Sequence, residues 1–455
     1  MDDPISVPTR VHIVGAGGAG MSGLAKLLRQ QGHDVSGSDL KPGRMLSGLG
    51  DIGIDTWIGH RTEMMSQVEL VVASSAVPDS DAELVAARDA GVRVWRRPEL
   101  LRSFTLQMPT TGLAGTHGKT TSTALMVTAM RGIGLDPTFL VGGELIGMNT
   151  GAHLGDPSRL VLEADEAFGT FRHLALDSIL VTNVEADHLD HYGTLAALED
   201  AFSQVTGRVA GPRVGCIDDP GVRRLARRVA MTSYGFDPDA DWVLGAFEPA
   251  DAGSRFQLTH DEMRIDVTLP KPGAHLALNA AGVLVLLNAL DVDIDAAALA
   301  LSGFTGVRRR YEIAAHIGAI TIVDDYAHHP TEVTATISAA RQSAQGDVIV
   351  VFQPHRYTRT ADLAPLFGGP LAMADRVFVT DIYAAGEPPI IGVSGRIVAE
   401  AVEAAGGRAS FVPRIVDIAD RLSAVINPGD TVLLLGAGDI NSIVKDIVAV
   451  IESSL

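Results

Sequence analysis

Cysteine is almost absent: Cys216 is the only one in 455 residues. A lone thiol excludes an internal disulfide framework and a cysteine-based zinc site. Cys216 lies in the apolar run Arg213 to Ile217 and reads as a small core residue. Long apolar stretches are missing too. None approaches the roughly 18 residues of a membrane-spanning helix. The acidic start M-D-D-P-I-S lacks the basic and apolar regions of a signal peptide. Positive charge is scarce: 36 Lys and Arg against 55 Asp and Glu give a net charge of −19. That balance works against broad contact with nucleic acid or an anionic membrane. A soluble, cytoplasmic protein is expected, with neither as a partner. The remaining composition is globular, 46% hydrophobic and 20% charged, and the length suits roughly two to four α/β-sized domains.

The most informative stretch is L-A-G-T-H-G-K-T-T-S-T, Leu113 to Thr123. A strand-like run, Thr110 to Ala114, leads in, and a helical pattern, Thr120 to Arg131, leads out. Glycines let the backbone wrap a phosphate with its N–H groups inward. The helix start adds partial positive charge. Lys119 can reach terminal phosphate oxygens, and the Thr120 hydroxyl can ligate Mg²⁺. Leu113 stands where a strict Walker A loop has its first glycine. The stretch therefore indicates a nucleotide phosphate site without fixing a reaction. Gly115, Thr116, His117, Gly118, Lys119, Thr120 and Thr121 are the candidate ATP-binding residues.

Upstream, the strand Val11 to Val14 meets Gly15, Gly17 and Gly20 in G-x-G-x-x-G spacing. A helix follows with Met21, Leu24, Leu27 and Leu28 on one face, then a strand ending in Asp39. That is the order of a dinucleotide-type βαβ unit, with an acid placed for a ribose. By itself the glycine pattern could also serve only close helix–strand packing, but its strand–loop–helix context favours a ligand loop. Alternation continues through Glu69 to Ser74, Ala82 to Ala90 and Val92 to Trp95, leaving Ser74 and Ser75 at a strand end. Downstream of the phosphate loop, strands at Arg159 to Ala164 and Asp177 to Thr182 end in E-A-D-E and N-V-E-A-D-H-L-D-H. Glu163 and His188 are the metal candidates among them, suited to Mg²⁺ or Mn²⁺. Asp190 and His191 are not. D-H-L-D-H also reads as a polar helix start capped by Asp187. A buried helix is expected from Gly273, with His275 and Asn279 four apart on one face. Glycine and an arginine run near Gly306 mark a hinge. A third α/β segment follows, with strands at Ile317 to Asp325, Asp347 to Phe352, Arg376 to Thr380 and Thr431 to Leu435, and helices from Pro330, Thr360 and Gly392. Polar groups again sit at the strand ends, and Tyr326, His328, Arg356 and Arg359 make an anion-recognising set.

Taken with V-G-A-G-G-A-G-M-S-G, T-N-V-E-A-D-H-L-D, D-D-Y-A-H-H-P-T-E-V, F-Q-P-H-R-Y-T-R-T and Y-A-A-G-E, the whole chain resembles the Mur ligases of peptidoglycan synthesis. Its motifs are most similar to the branch that joins L-alanine to UDP-N-acetylmuramate. The resemblance implies three domains. These are a Rossmann-like UDP-sugar-binding domain (1–107), a P-loop-type ATPase domain (108–307) and a Rossmann-like amino-acid-binding domain (308–455) that closes on ATP. It also implies ATP and Mg²⁺ (or Mn²⁺), an acyl-phosphate intermediate, and a monomer or weak homodimer. Lys119, Glu163 and His188 would be catalytic, and Thr120, Glu163 and His188 would serve the metals. Asn279 would contact adenine and Asp325 the ATP ribose. Gly15, Gly17, Gly20, Asp39, Ser74 and Ser75 would hold the UDP end. Tyr326, His328, Arg356 and Arg359 would bind alanine.

Three motifs depart from the family pattern. E-A-D-E-A-F-G-T-F replaces E-A-D-E-S-D-x-S-F, so Ala167 and Phe168 stand for a Ser-Asp pair. H-L-A-L-N replaces H-N-x-x-N, so only Asn279 carries over. Ala114 replaces the usual threonine. Residues 189–212 contain no lysine, so the carbamoylated lysine of related ligases cannot lie there. A wall-recycling ligase that attaches a peptide to UDP-N-acetylmuramate shares most of these motifs. A nicotinamide oxidoreductase would explain the first glycine fingerprint and leave G-K-T-T without a purpose.

Overall fold

A computed structural model describes residues 6–250 and 253–454. The chain forms two compact units. One comprises Met1–Ala246, Phe256–Thr268 and Leu278–Thr305; the other comprises Phe247–Arg255, Leu269–Ala277 and Gly306–Leu455. Both are built from mainly parallel sheets with helices between the strands, the α/β class expected. Among the described residues no helix is long and apolar enough to cross a membrane.

The first unit opens with a five-stranded parallel sheet. Its order is Asp55–Ile58, Asp34–Asp39, Arg10–Val14, Leu70–Ala73, Arg93–Arg96. The order reverses beside Arg10–Val14, so Gly15 and Ser74 flank the crevice where such sheets bind ligands. Helix Ala19–Gln30 follows the glycine turn and buries Met21, Leu24, Leu27 and Leu28, the face its spacing predicts. Beneath this sheet Glu83 is fully buried. It accepts hydrogen bonds from the Ser38 hydroxyl (2.5 Å), the Trp57 indole (2.9 Å) and the Arg61 N–H (2.8 Å).

A ten-stranded sheet follows. At its centre Thr110–Ala114 lies between Asp156–Glu163 and Ser178–Val181, all parallel. Burial on both faces explains why these strands read as continuous apolar runs. Arg213–Cys216 and Thr232–Gly235 extend one side; Pro137–Leu145 and the antiparallel Thr150–His153 extend the other. Cys216 is buried, as expected, and burial pushes its thiol up to about 12. The buried helix expected from Gly273 forms as Ala274–Ala289.

The second unit carries a six-stranded sheet, ordered Glu312–Ile317, Ile320–Asp325, Thr431–Leu435, Val348–Phe352, Arg376–Val379, Ala409–Phe411. The single strand expected over Ile317 to Asp325 is instead the second arm of a hairpin. The chain turns at Gly318 (φ +58°), and Glu312–Ile317 pairs antiparallel. The first arm is largely exposed, so it carries no apolar alternation to betray it. Helix Pro330–Ser343 begins where its proline predicted. The helix expected from Thr360 begins earlier, at Tyr357, and the one expected from Gly392 begins later, at Arg396.

Candidate active site

The phosphate loop forms as its residues require. Helix Lys119–Gly132 is entered through Gly118 at φ +83°, and Gly115 adopts φ +136°. Both are conformations that glycine takes without cost. Close packing adds a second reason at each. A Cβ on Gly115 would strike the Thr182 hydroxyl, and one on Gly118 would lie 2.8 Å from Asn279 Oδ1. Asn279 therefore lies directly against the loop. The T-N-V-E segment holds the loop from the other side. The His117 N–H donates to Asn183 Oδ1 (2.8 Å), the Thr182 hydroxyl to the His117 carbonyl (2.6 Å), and the Glu185 N–H to Thr116 Oγ1 (2.9 Å).

Lys119 Nζ donates to the carbonyls of Gly115 (2.7 Å) and Thr116 (3.1 Å) and to both oxygens of Glu166 (2.9 and 2.8 Å). Asp165 Oδ1 stands 3.6 Å away. Burial alone would lower the lysine's pKa, but Glu166 and Asp165 outweigh it and hold the ammonium charged well above its ordinary value. Burial pushes Glu166 up to about 7 against the pull of Lys119. Glu163 ends its strand with Oε1 accepting from the Gly142 N–H (2.5 Å) and its carboxylate bonded to the Thr120 hydroxyl. Burial again raises its pKa. A hard oxygen pair in contact, on a carboxylate with incomplete local compensation, fits a divalent cation. His188 adopts φ 54°, with Nε2 3.7 Å from Glu166 Oε1 and 3.8 Å from Asp187 Oδ2. It, rather than Asp187, caps the short helix Leu189–Tyr192, and Asp187 accepts the His188 N–H instead.

Glu166 is thus the carboxylate that Lys119 and His188 share, whereas the motif pointed to Glu163. The spacing of E-A-D-E does not show that its last acid is turned inward. A turn after the strand buries Glu166 completely.

The six residues expected at the sugar-nucleotide end gather at the first sheet's carboxyl edge. Gly15 turns at φ +79°, where a Cβ would lie 3.1 Å from the Ser74 Cβ, and Ser75 adjoins it. Asp39 accepts the Gly17 N–H at 3.0 Å and the Lys41 N–H at 3.1 Å. It thereby braces the glycine loop. Gly20 lies under Arg97, whose guanidinium would be 3.2–3.3 Å from a Cβ there. Arg97 Nε is buried without a hydrogen-bond partner, and Nη1 lies 3.9 Å from Asp165 Oδ2. Arg97 therefore stands between the two glycine-rich loops. Its position on a helix after the fifth strand gave no motif to find it by.

In the second unit His328, Arg356 and Arg359 gather round His355, and Tyr326 packs on His328. The Tyr326 ring lies between the Arg309 and Arg310 guanidiniums, 5.2 and 5.0 Å from its centroid, and His328 packs edge-on at 5.2 Å. His328 and His355 ring centroids are 6.0 Å apart, and His355 stacks on Tyr383. Burial, then the charges of Arg359 and Arg356, lower the His355 pKa to about 4. Arg356 holds φ 68°, ψ 137°, a strained backbone for any residue with a Cβ, and its Nε donates to Glu387 Oε1 at 2.5 Å. Asp325 is buried, and its two oxygens accept the N–H groups of Tyr311 and Ala327, both at 2.7 Å. Burial, opposed by Arg310, pushes it up to about 6. Its visible work is to shape its own loop.

A lysine-bearing glycine loop at a helix start, with buried carboxylates against the lysine, is the arrangement of an ATP-dependent enzyme. Models of the Mur ligase family catalytic domain, the Mur ligase middle domain and the Mur ligase glutamate ligase domain match residues 10–108, 113–287 and 309–438. The chain belongs to the Mur ligase family. It is 41% identical over 452 residues to a UDP-N-acetylmuramate–L-alanine ligase from Sorangium cellulosum, covering 97% of this chain and 96% of that one. The crystal structure of the UDP-N-acetylmuramate–alanine ligase from Thermotoga maritima superposes with a TM-score of 0.84 at 27% identity, covering 98% and 100% of the two chains. A murein peptide ligase from Psychrobacter arcticus shares the fold at a TM-score of 0.72 and 22% identity, covering 98% and 99%.

Proposed function

We infer that this chain uses ATP to join L-alanine to the lactyl carboxylate of UDP-N-acetylmuramate, releasing ADP and phosphate, in cytoplasmic synthesis of peptidoglycan precursor. The observation that carries this reading is the contact series Gly20–Arg97–Asp165–Lys119 within one unit. It connects an anion loop suited to a sugar diphosphate with one suited to ATP. A nicotinamide reaction has no use for the second loop.

The chemistry follows from charge. A carboxylate attacking a phosphate is anion meeting anion, so the barrier is mainly electrostatic. Lys119, kept protonated by Glu166 and Asp165, neutralises charge on the transferring phosphoryl group. The helix start at Lys119 adds its dipole. Thr120 and Glu163 would hold one Mg²⁺, and His188 with Glu166 a second. Bound there, the metal would draw charge from the phosphate oxygens. The alanine amine then attacks the acyl phosphate, and phosphate leaves from a tetrahedral intermediate. Arg356 and Arg359 hold the amino acid's carboxylate, and Tyr326 bounds its methyl group. His355, kept neutral, can accept a hydrogen bond from the amine without repelling it.

The test is phosphate release from ATP with UDP-N-acetylmuramate and, in turn, L-alanine, L-serine, glycine or the wall tripeptide. The expected result is release with the sugar nucleotide and L-alanine. Preference for the tripeptide would move the chain to the recycling reaction.

A further inference from the structure

The turn after Glu163 contains a residue that its own local structure does not favour. Phe168 adopts φ 54°, ψ 21°, and Gly169 follows at φ 67°. A left-handed backbone is strained for a bulky side chain. Phe168 is also 61% exposed, although a phenyl ring gains most by leaving water. The surrounding bonds fix it there. The Gly169 N–H donates to the Glu166 carbonyl (2.9 Å), the Phe171 N–H to the Asp165 carbonyl (2.9 Å), and the Tyr192 hydroxyl to the Glu166 carbonyl (2.6 Å). Among the described residues, its ring packs edge-on with His191, centroid to centroid 6.4 Å. Glycine would accept this backbone freely, and a polar residue would accept the exposure. This chain has phenylalanine.

We propose that Phe168 is a specificity-determining residue whose exposed ring forms an apolar wall against the muramyl sugar of the sugar-nucleotide substrate. The proposal rests on the function inferred above and adds to it a named contact. Asp165, three residues earlier, lies between Arg97 at the first loop and Lys119 at the second. A sugar held by its diphosphate at Gly15–Gly20 must pass this segment for its lactyl carboxylate to meet Lys119. A pyranose presents a face of C–H groups, and the lactyl ether adds a methyl group. Both gain by leaving water against a phenyl ring. Backbone strain at a ligand site, held by neighbouring bonds, is the pattern expected where an awkward side chain is needed for binding.

The experiment compares the full chain with Phe168→Gly and Phe168→Trp. It measures melting temperature, calorimetric affinity for UDP-N-acetylmuramate and for UDP alone, and the KM for ATP. Phe168→Gly should melt no lower than the parent, because strain is relieved. It should bind UDP-N-acetylmuramate about tenfold more weakly, the scale of part of a phenyl's burial. Its affinity for UDP and KM for ATP should not change, and Phe168→Trp should retain sugar-nucleotide affinity. Unchanged UDP-N-acetylmuramate binding in a folded Phe168→Gly protein would overturn the proposal. So would a lowered melting temperature with equal loss of UDP and ATP binding, which would make Phe168 a packing residue. No binding of UDP-N-acetylmuramate by the parent chain would sink the functional reading itself, whereas parent binding with an indifferent variant sinks this proposal alone.

Discussion

Lys119 has more partners than a lysine in a surface turn could gather: two loop carbonyls, a bidentate carboxylate and a second carboxylate nearby. An ammonium so placed is held charged and aimed at the loop's centre. Lys119→Ala should therefore cut phosphate release by at least about 10³-fold, the scale of losing a main electrostatic stabiliser. Calorimetric binding of UDP-N-acetylmuramate should survive, because that site is built from Gly15–Gly20 and its neighbours. Parallel loss of both in the same titration would refute this division of labour. Arg359→Ala should raise the KM for alanine by about ten- to a hundredfold and leave the KM for ATP nearly unchanged. The reverse ordering would reassign that arginine. The glycine, lysine and acid positions that gather at these loops were legible in the sequence because loop motifs carry chemistry at fixed spacing. Glu166, Arg97 and His355 were harder. Each gains its position from a turn or helix that brings together residues distant in sequence, and no short pattern records that.

At the scale of elements, the strands and helices flanking the glycine loops were the most legible. Thr110–Ala114 and helix Pro330–Ser343 begin where the sequence predicts, because buried parallel strands are apolar throughout and proline marks a helix start. The edge strands Thr150–His153, Glu312–Ile317 and Ala409–Phe411 were not legible. They bury too little surface to impose alternation. The loop geometry makes its own prediction. Gly118→Ala would force a Cβ into a left-handed backbone against Asn279. It should destabilise the protein by about 1–2 kcal/mol and weaken ATP binding, measured by denaturant melts and nucleotide titration. The first sheet makes another. Burial would raise Glu83, but hydrogen bonds from His12, Ser38 and the Arg61 N–H pull it down to about 2. A depressed carboxylate stabilises the fold above its unfolded pKa and loses that contribution as pH falls through the folded value. Glu83→Gln should therefore be less stable than the parent at pH 7, by on the order of 2–3 kcal/mol. The gap should close as pH falls from about 4.5 towards about 2. Urea melts of both proteins across that range test it, and a gap independent of pH would contradict it.

At the scale of the whole molecule, an acidic chain of net charge −19 acts on anions. On the proposed function it would do so by confining positive potential to helix starts, glycine-loop N–H groups, Lys119, Arg97 and the Arg356–Arg359 pair, with metal ions adding to it. Full-length similarity to L-alanine-adding ligases, and a fold shared with a peptide-adding one, mean that the architecture serves more than one incoming amine. Under the proposed function, that choice would fall to the residues around Tyr326 and His355. The most direct measurement is ATP-dependent phosphate release with each substrate omitted in turn. The account predicts full turnover only when ATP, UDP-N-acetylmuramate and L-alanine are all present, with UDP-N-acetylmuramoyl-L-alanine formed in equal amount to ADP. Release that ignores the sugar nucleotide, or proceeds as well without L-alanine, would contradict it.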